Sequence, residues 1–243
     1  MIRLVALQNQ LTYNSLAATQ DESSKSKASG ALTQEIIDLL DQKLKTLKQV
    51  ATLSPMNRWK LDSEKKGLKI HTRDDPDTGC KWVRGETIVN TTPMDLIERA
   101  LYAEGALEGY DSTSAESKSI ERINGYSFSY SLGKKPSRFV AARDTLVCNR
   151  WLEENGVIYC IGTSVKHPKC PEREGVVRAN VIIWGYILTP LKEDPNKTQM
   201  IYILATDAKG NIPKTVVNWF VKEQAEGVAK IRDWIDLNPK KQQ

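Results

Sequence analysis

Residues 213–235 carry the pattern that most limits what this chain can fold into. Gly210-Asn211-Ile212-Pro213 follows a strand-like run, and Pro213 suits the first helical position, where its missing N–H has no partner to lose. From there Val217, Phe220, Val221, Gln224, Val228, Ile231 and Ile235 recur at helical spacing. A second apolar edge carries Val216, Trp219 and Trp234. At 1.5 Å per residue the helix spans about 35 Å. Only a broad surface can bury that much apolar length, and a curved sheet is the obvious one.

The residues for such a sheet precede it. Strand signals lie at 59–73, 81–90, 117–123, 126–132, 143–151, 157–166, 175–188 and 198–206, most of them joined by turns with Gly, Pro or Asn. Sequential hairpins make an antiparallel sheet. Two further helices are expected. One carries Leu32, Ile36, Leu39, Leu40, Leu44, Leu47 and Val50 on one stripe and ends before Pro55. The other opens at Thr92-Pro93 with Asp95 in its first turn and runs to about Ala103. Helices segregated against an antiparallel sheet make an α+β protein. Residues 13–31 are Ser/Ala/Lys-rich without periodicity, so 1–31 reads as a flexible N-terminal arm and 32–243 as a single domain.

Composition excludes several functions. The 35 basic against 30 acidic residues leave +5, too little to argue for nucleic acid. No run approaches ~18 apolar residues, and the apolar Met1–Leu7 is too short for a secretory leader, so a cytoplasmic protein is expected. Cys80, Cys148, Cys160, Cys170, His71 and His167 offer no Cys-x-x-Cys and no second pair beside His167-Pro-Lys-Cys170, so neither metal nor cofactor is expected. With Asn155-Gly156 as a hairpin turn, Cys160 sits opposite Trp151 and Cys148 opposite Thr163, which predicts free thiols. No phosphate-binding glycine loop or nucleophile elbow is present, which argues against an enzyme.

Three stretches together resemble the START (steroidogenic acute regulatory protein-related lipid transfer) family: KPSRFVAARDTLVCNRW (135–151), SVKHPKCPEREGVVRANVIIWGYILTP (164–190) and TDAKGNIPKTVVNWFVKEQ (206–224). Trp59-Lys60 resembles the start of that family's first strand, and the similarity covers about residues 40–236. The resemblance implies a helix-grip fold: a curved antiparallel sheet wrapped around the long C-terminal helix, with an internal tunnel for one lipid. The helix and a neighbouring loop would form the lid.

Period-2 alternation puts Tyr126, Phe128 and Tyr130 on one face of their strand and Ser127, Ser129 and Ser131 on the other. With the resemblance, the aromatics are expected to face the tunnel. Thr145, Val147 and Asn149 share one face of the next strand, and Leu146, Cys148 and Arg150 the other. The family's cavity arginine falls at Asn149 and its acidic partner at Tyr130, so this chain departs from sterol-carrying members at both. A register slip of one residue would instead bring Arg150 inward. On the last strand Met200, Tyr202 and Leu204 form one row and Ile201, Ile203 and Ala205 the other; either could line the cavity. Val217, Phe220, Val221 and Gln224 are the helix's candidates for lipid contact. Arg178 matches a family-typical arginine, as an ion-pair partner or a ligand contact. Lys134, Lys135 and Arg138 lie in a locally basic segment suited to transient docking on anionic membranes. The expectation is a soluble monomer carrying one lipid between membranes, a phospholipid or other polar lipid rather than a sterol. The alternatives are a lipid sensor acting through a protein partner and, further off, a helix-grip enzyme.

Overall fold

A computed structural model describes residues 31–102, 114–135, 137, 140–210 and 212–240. The expected arm therefore lies almost wholly outside the described residues, as does Arg138. Among the described residues ten strands form one sheet: β1 (Lys60–Lys65), β2 (Leu68–Asp74), β3 (Lys81–Val89), β4 (Ser114–Ile123), β5 (Tyr126–Gly133), β6 (Ala142–Glu154), β7 (Val157–Ser164), β8 (Val176–Arg178), β9 (Asn180–Pro190) and β10 (Thr198–Asp207). The order is β1-β2-β3-β10-β9-β7-β6-β5-β4, antiparallel throughout. Short β8 lies off that path and pairs in parallel with β6.

Two strands expected as continuous are divided. The 59–73 run folds back as a hairpin, because Lys66 and Gly67 both take positive φ, 47° and 73°, the backbone of a two-residue hairpin turn. The 175–188 run breaks after Arg178, where β8 gives way to β9. The hairpin at Asn155-Gly156 has the expected register, with Trp151 opposite Cys160 and Cys148 opposite Thr163. All four cysteines are free.

Each face of the sheet carries a long helix. α1 (Gln34–Val50) starts at Thr33, whose hydroxyl accepts the Ile36 N–H, a side-chain cap of the usual kind. Its buried stripe Leu40, Leu44, Leu47 and Val50 packs with Ile161, Ile183, Ile187 and Ile203 on the outer face. The Leu47 methyls sit so close to Gly185 that a Cβ there would stand 2.8 Å from one of them. α2 (Pro93–Leu96) is capped by Thr92 and runs into a wider turn at Ile97–Leu101. α3 (Lys214–Leu237) lies against the inner face, with Val221, Ala225, Val228, Ile231 and Ile235 buried against β2, β3 and β10. The sheet thus has two apolar cores, one under each helix, in the α+β helix-grip arrangement.

Candidate functional site

The inner face is followed strand by strand through the pairing register. On β10 the inward row is Met200, Tyr202 and Leu204, which belongs to the core under α3. Ile203 and Ala205 belong to the core under α1. Across β9 the inward partners are Leu188, Tyr186 and Trp184, and across β7 they are Ile158, Cys160 and Gly162. On β6 they continue as Trp151, Asn149 and Val147, and on β5 as Ser127, Ser129 and Ser131, the last opposite Thr145.

Gly162 is the floor of this surface. A Cβ there would meet Val147 at 2.7 Å, Trp184 at 3.0 Å and Asn149 at 3.1 Å, so three side chains from the two flanking strands, β6 and β9, close over one bare backbone position. The Tyr186 and Tyr202 rings pack beside them, centroids 4.9 Å apart, and Trp184 meets Tyr186 edge-on at 5.5 Å. Toward β5 the wall turns polar. Asn149, only 7% exposed, donates from Nδ2 to the Ser129 hydroxyl at 3.1 Å, and the Ser129 and Ser127 hydroxyls are 3.4 Å apart. Val147, Trp151 and Trp184 remain only partly buried. The inner face thus runs from an apolar surface to a hydroxyl-and-amide wall.

The β5 aromatics are the main correction. Phe128 packs with Cys148 in the core under α1, Tyr126 packs against the same core, and Tyr130 joins Leu146 and Cys170 on that side. All three face away from α3, and the serines face inward. Outer-face contacts explain this placement. The Tyr126 hydroxyl accepts from Arg150 at 3.0 Å, the Phe128 ring lies 4.8 Å from His167, and Lys118, Arg173 and Arg178 sit 4.8–5.8 Å from the centroid of the Tyr130 ring. Burial and the Asp144 carboxylate push the Tyr130 hydroxyl up to about 12.

Arg178 takes the ion-pair role of the two expected for it. Its guanidinium grips Asp144 with two bonds, 2.7 and 3.0 Å, and also reaches the Cys170 and Pro171 carbonyls. Both members of the pair are largely buried, and they lie beside Tyr130 on the outer side. Arg178 is an ion-pair partner there, away from the inner face. Arg150 also points outward and pairs with Asp41 of α1, which settles the register: Asn149 faces in. Arg143, at the inner end of β6, donates to the carbonyls of Ala141 (2.6 Å), Lys209 (3.2 Å) and Ala208 (3.4 Å), tying β6 to the loop before α3.

On α3, Val221 is buried and Val217 and Gln224 are partly buried, but Phe220 is 36% and Trp219 51% exposed. The helix is therefore closely packed along its C-terminal part and open near its start. Trp219, Asn218, Val221 and Lys222 border a groove with Asp62, Ile70, Thr72 and Lys81. Lys134 and Lys135 are exposed just beyond β5.

The residues sequence reasoning missed are Ser127, Ser129, Trp151 and Trp184. The signal for the last was Gly162, a small residue in an otherwise bulky strand. Both histidines are on the outer side: His71 is opposite Arg84, and His167 bonds Glu121 at 2.8 Å. No helix among the described residues is long and apolar enough to cross a membrane.

Comparison with known proteins adds a family to this geometry. The family model of the START domain matches residues 12–236. StAR-related lipid transfer protein 5 of Mus musculus is 30% identical over 175 residues, covering 69% of this chain and 81% of that protein. The mitochondrial steroidogenic acute regulatory protein of Salvelinus fontinalis is 36% identical over 86 residues, which is 35% of this chain and 30% of that protein; the match thus spans under a third of that relative's length. The solved structure of human StAR-related lipid transfer protein 5 aligns with a TM-score of 0.67 at 22% identity, over 81% of this chain and 98% of that one, a likeness of fold.

Proposed function

The chain belongs to the START domain family, a family of lipid-binding transfer proteins rather than enzymes, and on that premise we propose that it carries one lipid between membranes. The observation that supports this best is the inner face itself. Val147, Trp151 and Trp184 face inward yet stay partly open, beside the polar wall at Asn149 and Ser129. Such a surface suits a ligand with a long apolar body and a small polar end. Sheathing an acyl chain gains about 0.8 kcal/mol per CH₂, which is why a carrier must enclose it.

The carrier works from the cytoplasm as a monomer and touches membranes transiently. Lys134 and Lys135 lie exposed beyond β5, with Arg138 following in the sequence. Each cation near an anionic bilayer contributes about 1 kcal/mol, enough for docking but not for anchoring. Trp219 and Phe220, exposed near the start of α3, offer apolar contacts to the same interface.

The test is lipid exchange between donor and acceptor vesicles, with native mass spectrometry of the purified protein. The expected result is one bound lipid and protein-dependent transfer, slowed when Lys134 and Lys135 are neutralised. One bound lipid with no transfer would replace carriage by sensing through a partner. No uptake from any vesicle would overturn both.

A further inference from the structure

The groove beside the start of α3 carries a charge pattern for which a carried lipid has no use. Its floor continues the inner face: Ile70 lies opposite Gly85, itself opposite Tyr202, and Thr72 lies opposite Val83, itself opposite Leu204. The space measures about 300 Å³, enough for a small polar group. Buried Ile70 and Val221 line it, and so does the exposed Trp219. Lys81, Lys222 and Asp62 border it as well, and none of the three has an ion-pair or hydrogen-bond partner among the described residues. The Thr72 hydroxyl and the Asn218 amide, on the same border, are equally unengaged there.

Farther along α3 the cations are matched. Lys230 pairs with Glu223 at 3.2 Å, and Arg232 binds Asp233, Thr87 and the Lys66 carbonyl. At the groove both signs stay open. Lys60, opposite Thr72, and Asp74, opposite Lys81, add one exposed charge each at the same edge. A purely anionic group would meet the carboxylates of Asp62 and Asp74, and a purely cationic one would meet the lysines. A phosphate with an ammonium a few bonds away answers both. The phosphate accepts from Lys81, Lys222 and Asn218. The ammonium lies against Asp62 and the face of Trp219, since an aromatic face attracts a cation.

The groove also lies at the right end of the sheet to meet a bilayer. Arg143, at the start of β6, bonds the Ala208 and Lys209 carbonyls just before α3. The end of β5, followed by Lys134 and Lys135, and the start of α3 therefore share that end, with Trp219 and Phe220 exposed on it. We propose that the groove between the start of α3 and strands β1–β3 seats the zwitterionic head group of a phospholipid that stays in the bilayer, of the phosphocholine or phosphoethanolamine class. This lipid is a foothold and not cargo: its chains remain in the membrane. Lys134 and Lys135 draw the protein to the surface, and the groove fixes its orientation by turning the start of α3 toward the bilayer.

The experiment floats the full chain with vesicles of phosphatidylcholine or of digalactosyldiacylglycerol, whose head group is uncharged. Both carry the same minor share of phosphatidylglycerol, so that Lys134 and Lys135 are attracted equally. Phosphatidylcholine vesicles should bind about tenfold more tightly. Lys222→Gln and Asp62→Asn, both at exposed positions, should each erase most of that difference with the thermal midpoint unchanged. Free glycerophosphocholine should compete for the protein, and inorganic phosphate alone should not. Equal binding to the two vesicle types, binding to neither, a preference that survives in both variants, or equal competition by phosphate would each overturn the inference. Native mass spectrometry keeps it separate from carriage. A chain that prefers phosphatidylcholine vesicles yet takes up no lipid would sink carriage and leave the groove standing; one bound lipid with equal vesicle binding would do the reverse.

Discussion

Gly85 of β3 lies so close beneath Ala225 of α3 that a Cβ at position 85 would stand 3.1 Å from the Ala225 carbonyl oxygen and 3.1 Å from a Val228 methyl. The contact is backbone against backbone, so the seat of α3 is set by the absence of a side chain. Gly85→Val should lift the helix and cost about 1–3 kcal/mol. The thermal midpoint should fall while lipid exchange between vesicles speeds up. An unchanged midpoint would mean that the helix rides loosely over the sheet.

The Asp144–Arg178 pair predicts a different outcome. Asp144 is almost fully buried, and the two bonds from Arg178 are its compensation. Asp144→Asn should cost about 3–5 kcal/mol, because it leaves the guanidinium inside without a counter-charge. Since the pair lies on the outer side, the identity of the bound lipid should not change. Mass spectrometry of the variant, grown cool enough to fold, checks this.

A pH effect follows from Asp95 near the start of α2. Burial alone would raise its pKa, but bonds from Lys240, Thr91 and Arg99 outweigh burial and lower it. A depressed carboxylate contributes stability fully above its unfolded value, near 3.9, and loses it as pH falls through the folded value. Asp95→Asn should therefore cost stability at neutral pH, and the gap to wild type should close under acid. Thermal melts of both proteins from neutral pH to about pH 3 test the sign. A gap that widened in acid would refute it.

The thiols give a simple chemical check. Burial pushes the Cys148 thiol up to about 12 and raises Cys160 as well, so neither forms appreciable thiolate at neutral pH. Cys170 is buried too, and Cys80 is partly exposed. A maleimide should label Cys80 alone in the folded protein, and the other three after unfolding. Fast native labelling of Cys160 would show that the inner face opens readily.

Much of this architecture was legible in the residues. The Asn155-Gly156 turn gave the β6–β7 register, and the apolar stripes of α1 and α3 gave both helices. The facing of β5 was not legible. Alternation tells which side chains share a face but not which face is inside. Most sheets answer that by polarity, with apolar side chains inward. Here α1 packs an apolar core on the outer face and α3 another on the inner one, so both rows of β10 are apolar. On β5 the usual rule inverts, with Phe128 outside under the shelter of α1 and Ser129 inside against Asn149. Arg178 matched a sequence pattern, but its partner Asp144 decided its role.

The position of β10 between β3 and β9 governs how the molecule can assemble. During synthesis β3 emerges long before β10, and until β10 arrives the nascent chain holds two partial sheets with unpaired edges. Pairings between such distant segments form slowly, and waiting edges are prone to aggregate. α3 comes later still. No lipid can be enclosed until α3 has left the ribosome, so loading follows folding of the sheet and cannot guide its early steps.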